Sequence, residues 1–158
     1  MSVPSTTRRA ALSDEGLLRV RILDPDLDIP VRAHAGDAGL DLRARQGVSL
    51  PPFARAAVPT GIAVAIPSGH GGFVLPRSGL ARHHGVTLAN SPGLIDAGYR
   101  GEVIVVLLNL DPIQTHVIHR GDRIAQLVVM PVLVSEPEWV DDLGDTERGG
   151  GGFGSTGF

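Results

Sequence analysis

No part of this chain sustains the 3.6-residue apolar period of an amphipathic helix. Its apolar residues fall instead into short runs separated by Gly, Pro, Asn and Asp. Residues 17–23 alternate, with Leu18, Val20 and Ile22 set against Arg19 and Arg21, the period-2 pattern of a half-buried strand that Asp24-Pro25 then breaks. Strand-like runs recur at 39–44, 48–50, 54–58, 61–66, 72–75 and 86–88. The strongest run, 103–110, is apolar almost throughout, which predicts a strand buried on both faces, in a sandwich core or a subunit interface. A last run, 124–134, is interrupted by Pro131. The one candidate helix is a short turn over 78–83 that follows Pro76. This rhythm of strands and turns predicts an all-β sandwich or barrel of the jelly-roll kind.

Composition agrees. The chain holds 21 Gly and 12 Pro, which suit tight turns, and with 4% aromatic residues its core must be built from Val, Ile, Leu and Ala. Its 158 residues suit one domain. They divide into a flexible N-terminal extension (1–16), a β domain (17–135), and an acidic linker with a Gly-rich arm (136–158). From Gln126 to Arg148 the chain reaches ~70 Å when fully extended, enough to cross onto a neighbouring subunit. A net charge of −3 argues against a nucleic-acid or membrane-surface protein. Binding a polyphosphate would therefore require locally concentrated positive charge or a metal. The absence of cysteine removes disulfides, thiolate metal sites and a Cys nucleophile. No apolar stretch reads as a secretory signal or approaches the ~20 residues of a membrane span, so a cytoplasmic protein is expected. The six His residues read as incidental, because His116 and His119 would face opposite sides of a strand and His83-His84 would sit on the surface.

Four segments combine Gly, charge and turn chemistry beyond what packing requires. They are Gly36-Asp37-Ala38-Gly39-Leu40-Asp41-Leu42, Pro76-Arg77-Ser78-Gly79-Leu80-Ala81, the stretch from Asn90 to Glu102, and Arg120-Gly121-Asp122-Arg123-Ile124-Ala125-Gln126-Leu127. The terminal stretch from Arg148 to Phe158 makes a fifth; it lacks the Lys of a P-loop, and no strand precedes it. Read alone, each allows two roles. Asp96, next to Ile95 and the Ala97-Gly98 turn, is either a partly desolvated, rigidly held base or an Asx-turn residue. Asp41 lies on a strand whose Leu40 and Leu42 face the other way, and Asp37 is a turn former. Arg77 and Ser78 open a helical turn, as anion donors, as a cap at Ser78, or both. Tyr99 is an ordinary buried Tyr or a site residue. Asp122 and Arg123 read as a structural ion pair.

In order and approximate spacing, the five segments resemble the five motifs of the trimeric dUTPase family, from about residue 20 to the C-terminus. The resemblance implies a jelly-roll-like β-barrel/sandwich, a homotrimer with shared sites and a flexible Gly-rich arm. It implies hydrolysis of dUTP to dUMP and pyrophosphate with Mg²⁺, and no nucleic-acid or membrane partner. Asp96 would activate the attacking water and touch the sugar 3′-hydroxyl, Asp41 would support Mg²⁺ through water, and Gln126 would bond a phosphate or that water. Arg77, Ser78 and Gly79 would hold the α- and β-phosphates, usually on a neighbouring subunit. Asn90, Gly93, Leu94 and Ile95 would form a β-hairpin pocket for uracil and deoxyribose. Tyr99 would lie under the sugar and refuse a 2′-hydroxyl, while Ile104 brings no polar contact where some relatives have one. On the arm, Arg148 would grip the γ-phosphate, Gly154, Ser155 and Thr156 would wrap the triphosphate, and Phe153 would stack on uracil. The nearest rival, dCTP deaminase, shares the fold but carries a glutamate proton shuttle at the position of Val106, and a valine moves no protons. A catalytically idle nucleotide-binding relative is a second rival, against which Asp41, Asp96 and Arg148 argue.

Overall fold

The computed structural model describes residues 17–151. The expected N-terminal extension and the arm residues Phe153, Gly154, Ser155 and Thr156 lie outside them. In chain order the elements are β1 (Arg19–Ile22), β2 (Leu40–Arg43), β3 (Val48–Leu50), β4 (Arg55–Ala65), β5 (His70–Leu75), α1 (Ser78–His84), β6 (Val86–Leu88), β7 (Gly93–Ile95), β8 (Glu102–Asn109), β9 (His116–Ile118) and β10 (Arg123–Pro131). All pairings are antiparallel, in the orders β1-β4-β8-β6 and β2-β10-β5-β7, with β3-β9 as a small third sheet. The fold is the expected all-β, jelly-roll-like one.

Alternation along the strands builds one core. Strand β2 buries Leu40 and Leu42 and leaves Asp41 half-buried on its other side. On β8 the inward set is Val103, Val105, Leu107 and Asn109. Fully buried Asn109 satisfies its amide by donating to the carbonyls of Leu50 and Gln114, both at 2.8 Å, and by accepting from the Asp111 N–H at 2.9 Å. A buried side-chain amide requires such partners, and here they tie β8 to β3.

Several expectations change. Residues 54–58 and 61–66 form one strand, β4, rather than two. Gly61, at φ +73°, absorbs the break as a register shift between Pro59 and Ala63, and Pro59 is thereby carried inside a strand. The run 103–110 is not buried on both faces within this chain. Ile104 is 51% exposed, and Val106 and Leu108 are half-buried. Similarly, β1 leaves Val20 37% and Ile22 38% exposed where a half-buried strand was expected.

Candidate active site

The registers place the polar side chains. Strand β10 lies between β2 and β5, and Gln126 is opposite Asp41 on one side and Leu75 on the other. Directly opposed residues share a face of the sheet. Asp41 and Gln126 therefore emerge together, and the chain leaving β5 adds Arg77 two residues after Leu75. These residues, with Ser78 and Gly79, line a cleft of about 480 Å³. A β-bulge between Arg123 and Ala125 re-aims Arg123 into the same cleft. There, two guanidiniums meet one carboxylate. Arg123 Nη1 lies 3.2 Å from Asp41 Oδ2, and Arg77 Nε lies 3.5 Å from Asp41 Oδ1. Arg77 also donates to the Arg123 carbonyl at 2.9 Å, and Gln126 donates to the Pro76 carbonyl at 3.1 Å. Asp37 also lines the cleft, so its two guanidiniums are formally balanced by two carboxylates.

A second, smaller cavity of about 200 Å³ forms where β7, β8 and the turn between them meet. Strand β7 pairs with β5, through Leu94 opposite Phe73. Asn90, Gly93, Leu94 and Ile95 line one side of the cavity, Asp96 and Tyr99 the turn, and Ile104 and Val106 the floor of β8. Tyr99 is 45% exposed, and its hydroxyl donates to the Glu102 carbonyl at 2.9 Å. Asp96 is exposed, so the expected partial desolvation of its carboxylate is absent in the isolated chain. The two cavities share no lining residue.

A family model described as dUTPase matches residues 26–157. The chain belongs to the dUTPase family. It is 52% identical over 160 residues to the deoxyuridine 5'-triphosphate nucleotidohydrolase of Thermobifida fusca, covering 98% of this chain and 89% of that protein. It is 56% identical over 145 residues to the enzyme of that name from Mycolicibacterium vanbaalenii, covering 89% and 94% respectively. Among solved structures it is similar to the dUTPase of Staphylococcus bacteriophage 80alpha with dUpNHpp, at TM-score 0.78 and 30% identity, covering 90% of this chain and 99% of that one. It is also similar to a mutant dUTPase from phage phi11 of S. aureus, described as coordinating a structural Mg(II) ion, at TM-score 0.73 and 29% identity, covering 80% and 98%.

Within this dUTPase fold several expected details differ. Asn90–Tyr99 is not a self-paired hairpin, because β6 joins the other sheet through β8 while β7 adds to β5. Ser78 is the first helical residue rather than the cap. Arg77 takes the N-cap position in extended conformation, and no side-chain cap bond is made by the described residues. Asp122 and Arg123 do not pair with each other. Asp122 accepts the His119 N–H at 2.7 Å and Arg123 turns to Asp41, because the bulge separates their directions. Arg148 lines neither cavity and donates to the Gly151 carbonyl at 3.0 Å. Asp37 is the expected turn former, its carboxylate accepting the His34 N–H at 2.8 Å.

Two residues of the candidate site escaped sequence reasoning. Arg123 was hidden because no pattern in sequence announces a bulge. Gly39 matters through what it lacks: a Cβ there would run into Gln126 Oε1 and lie 3.2 Å from Gln126 Cβ. Its place two residues before Asp41, in a segment already rich in turn chemistry, was the available signal.

Proposed function

We propose that this chain hydrolyses dUTP to dUMP and pyrophosphate in the cytoplasm, as a homotrimer in which each site joins one protomer's nucleoside cavity to a neighbour's phosphate cleft. The observation that carries this reading is the division of the site residues into two separate groups, a cavity holding Asp96 and a larger cleft holding Asp41, Arg77, Arg123 and Gln126. One triphosphate needs both. The exposed β1 is then a subunit contact. By this reaction the enzyme would limit uracil in DNA and supply dUMP for dTMP synthesis.

In this reading Asp96 orients the water and takes its proton as the water attacks the α-phosphorus in line, with pyrophosphate leaving. Gln126 bonds a phosphate or that water. Arg77, with Ser78 and Gly79, holds the α- and β-phosphates, and Arg123 adds a second guanidinium. The backbone of β7 reads the uracil edge beside Asn90, while Gly93, Leu94, Ile95 and Ile104 enclose the base and Tyr99 underlies the sugar. Arg148 on the arm grips the γ-phosphate, and Phe153, Gly154, Ser155 and Thr156 close over the nucleotide. A glycine-rich arm loses much chain entropy on ordering, so closure follows ligand binding.

The donor set suits Mg²⁺ of one kind only. Among the described residues no group of three or more His, Asp or Glu side chains could cage a metal, and the Asp37 carboxylate is turned back on its own loop. Both Asp41 oxygens face guanidiniums, so Asp41 suits only outer contact with a hydrated ion that draws its oxygens from phosphates and water. Held there through water, Mg²⁺ would offset phosphate charge. Val106 on the cavity floor supplies no proton carrier, which disfavours deamination of dCTP.

The test is pyrophosphate release from dUTP, dCTP, dTTP and UTP with Mg²⁺, beside Asp96→Asn. The expected result is turnover of dUTP alone, lowered by about 10²-fold or more in the variant. Ammonia from dCTP would establish the deaminase instead, and tight dUTP binding without turnover would establish an idle relative.

A further inference from the structure

The turn that carries Tyr99 is braced more heavily than a surface turn requires. Gly101 lies directly against the ring: a Cβ built there would come within 2.6 Å of Tyr99 Cζ and 3.0 Å of Cε2. Real Cβ atoms do not approach ring carbons so closely, so any side chain at this position displaces the ring. The Tyr99 hydroxyl is held at its far end by the Glu102 carbonyl, 2.9 Å away. Arg100 folds back on the same turn and donates to the carbonyls of Ala97 (2.6 Å) and Tyr99 (2.7 Å). Glu102 is anchored in turn. Its carboxylate accepts the Gly61 N–H at 2.7 Å, at the bulge of β4, and pairs with Arg45 at 3.3 Å. Arg45 is itself tied to Asp24 at 3.1 Å, and Arg120 grips Asp24 at 2.7 Å.

We infer that Gly101, Arg100 and Glu102 are positioning residues for the choice between deoxyribose and ribose, fixing the Tyr99 ring through the space left at Gly101 and the Glu102 carbonyl. This rests on the reading of Tyr99 as the surface beneath the sugar. Discrimination against one added hydroxyl depends on a wall that cannot yield, since a hydrophobic pocket alone rejects such an isostere weakly. An exposed tyrosine on a turn is a yielding wall unless the free end of its ring is held. Gly101 leaves the space that the hydroxyl end of the ring occupies, Glu102 tethers that hydroxyl, and the Gly61–Arg45 anchor keeps the tether fixed to the core.

The experiment measures kcat/KM for dUTP and UTP in the full-length wild type, Gly101→Ala, Glu102→Ala and Glu102→Gln, each checked for its thermal transition. Gly101→Ala is expected to lower the dUTP-over-UTP ratio by about tenfold, chiefly through KM. Glu102→Ala does the same, while Glu102→Gln, which still offers an acceptor to Gly61 N–H, retains most of the ratio. Should Gly101→Ala fail to fold, the Glu102 pair decides alone. A wild type that hydrolyses dUTP, with variants that lose activity on both nucleotides by one common factor or keep the ratio, overturns this inference and leaves the proposed function standing. A wild type without dUTP turnover overturns both.

Discussion

Asp24 shows how single side chains bind distant parts of this chain into a frame. Arg120 reaches its two carboxylate oxygens at 2.7 and 3.0 Å, Arg45 lies at 3.1 Å, and Arg120 also donates to the Arg45 carbonyl at 2.6 Å. The Arg120 hydrogen bond, against the opposing effect of burial and with further help from Arg45, holds the Asp24 carboxyl well below the usual carboxylate range. Because the folded value lies below the unfolded one, the unfolded chain binds the proton more readily at low pH. The stabilisation is complete above about pH 3.9 and is lost as pH falls toward the folded value. Asp111 is shifted the same way by the N–H groups of Gln114 and Ile113. Urea denaturation of the wild type and Asp24→Asn between pH 7 and 3 checks the sign. The wild type should be the more stable at neutral pH, with the gap narrowing at the acid end; a gap that widens on acidification would refute the assignment.

At the scale of elements, turn geometry decides where the functional residues point. Helix α1 ends at Gly85, in left-handed conformation at φ +64°, and its N–H bonds the Ala81 carbonyl at 3.2 Å. A Cβ at Gly85 would also stand 3.0 Å from the Asp111 nitrogen. Since α1 carries Ser78 and Gly79, this cap holds the segment proposed to bind phosphate against β6 and the end of β8. Gly85→Ala should cost about 1 kcal/mol or more, from the left-handed strain plus the contact, and a thermal melt would register it. An unchanged melting temperature would mean that the loop simply relaxes. The bulge in β10 is the other decisive element, since without it Arg123 would not be aimed at Asp41.

For the whole molecule, the separation of the cavity at β7 and β8 from the cleft at β2 and β10 makes a direct test of the proposed shared sites. Asp96→Asn damages the first group and Arg77→Ala the second. Each should be nearly inactive alone. Unfolded together and refolded at equal concentrations, they should regain roughly a quarter of wild-type activity, because random assembly reunites an intact cavity with an intact cleft in that fraction of sites. Mixtures as inactive as the separate variants would place each complete site within one protomer.

Much of this architecture is legible in the amino-acid order. Short apolar runs, alternating or continuous, predict β1, β2, β3, β5, β6, β8 and β10 to within a few residues, and Pro76 with the following polar turn marks α1. The candidate site residues also stand out, because Gly, Asp and Arg in turn segments are not what a core selects. The division of those residues between two cavities is not legible, nor is the fusion of two runs into β4 or the one-sided burial of β8. The sequence by itself determined most of the strands and the chemical groups available, since side-chain period and turn preference are local properties carried by a few neighbouring residues. Only the tertiary structure decided that Arg123 joins Asp41, that Gly39 makes room for Gln126 and that Gly101 seats Tyr99. Those facts depend on strand register, a bulge and the space left by a missing Cβ, all set by how the chain packs rather than by any local pattern.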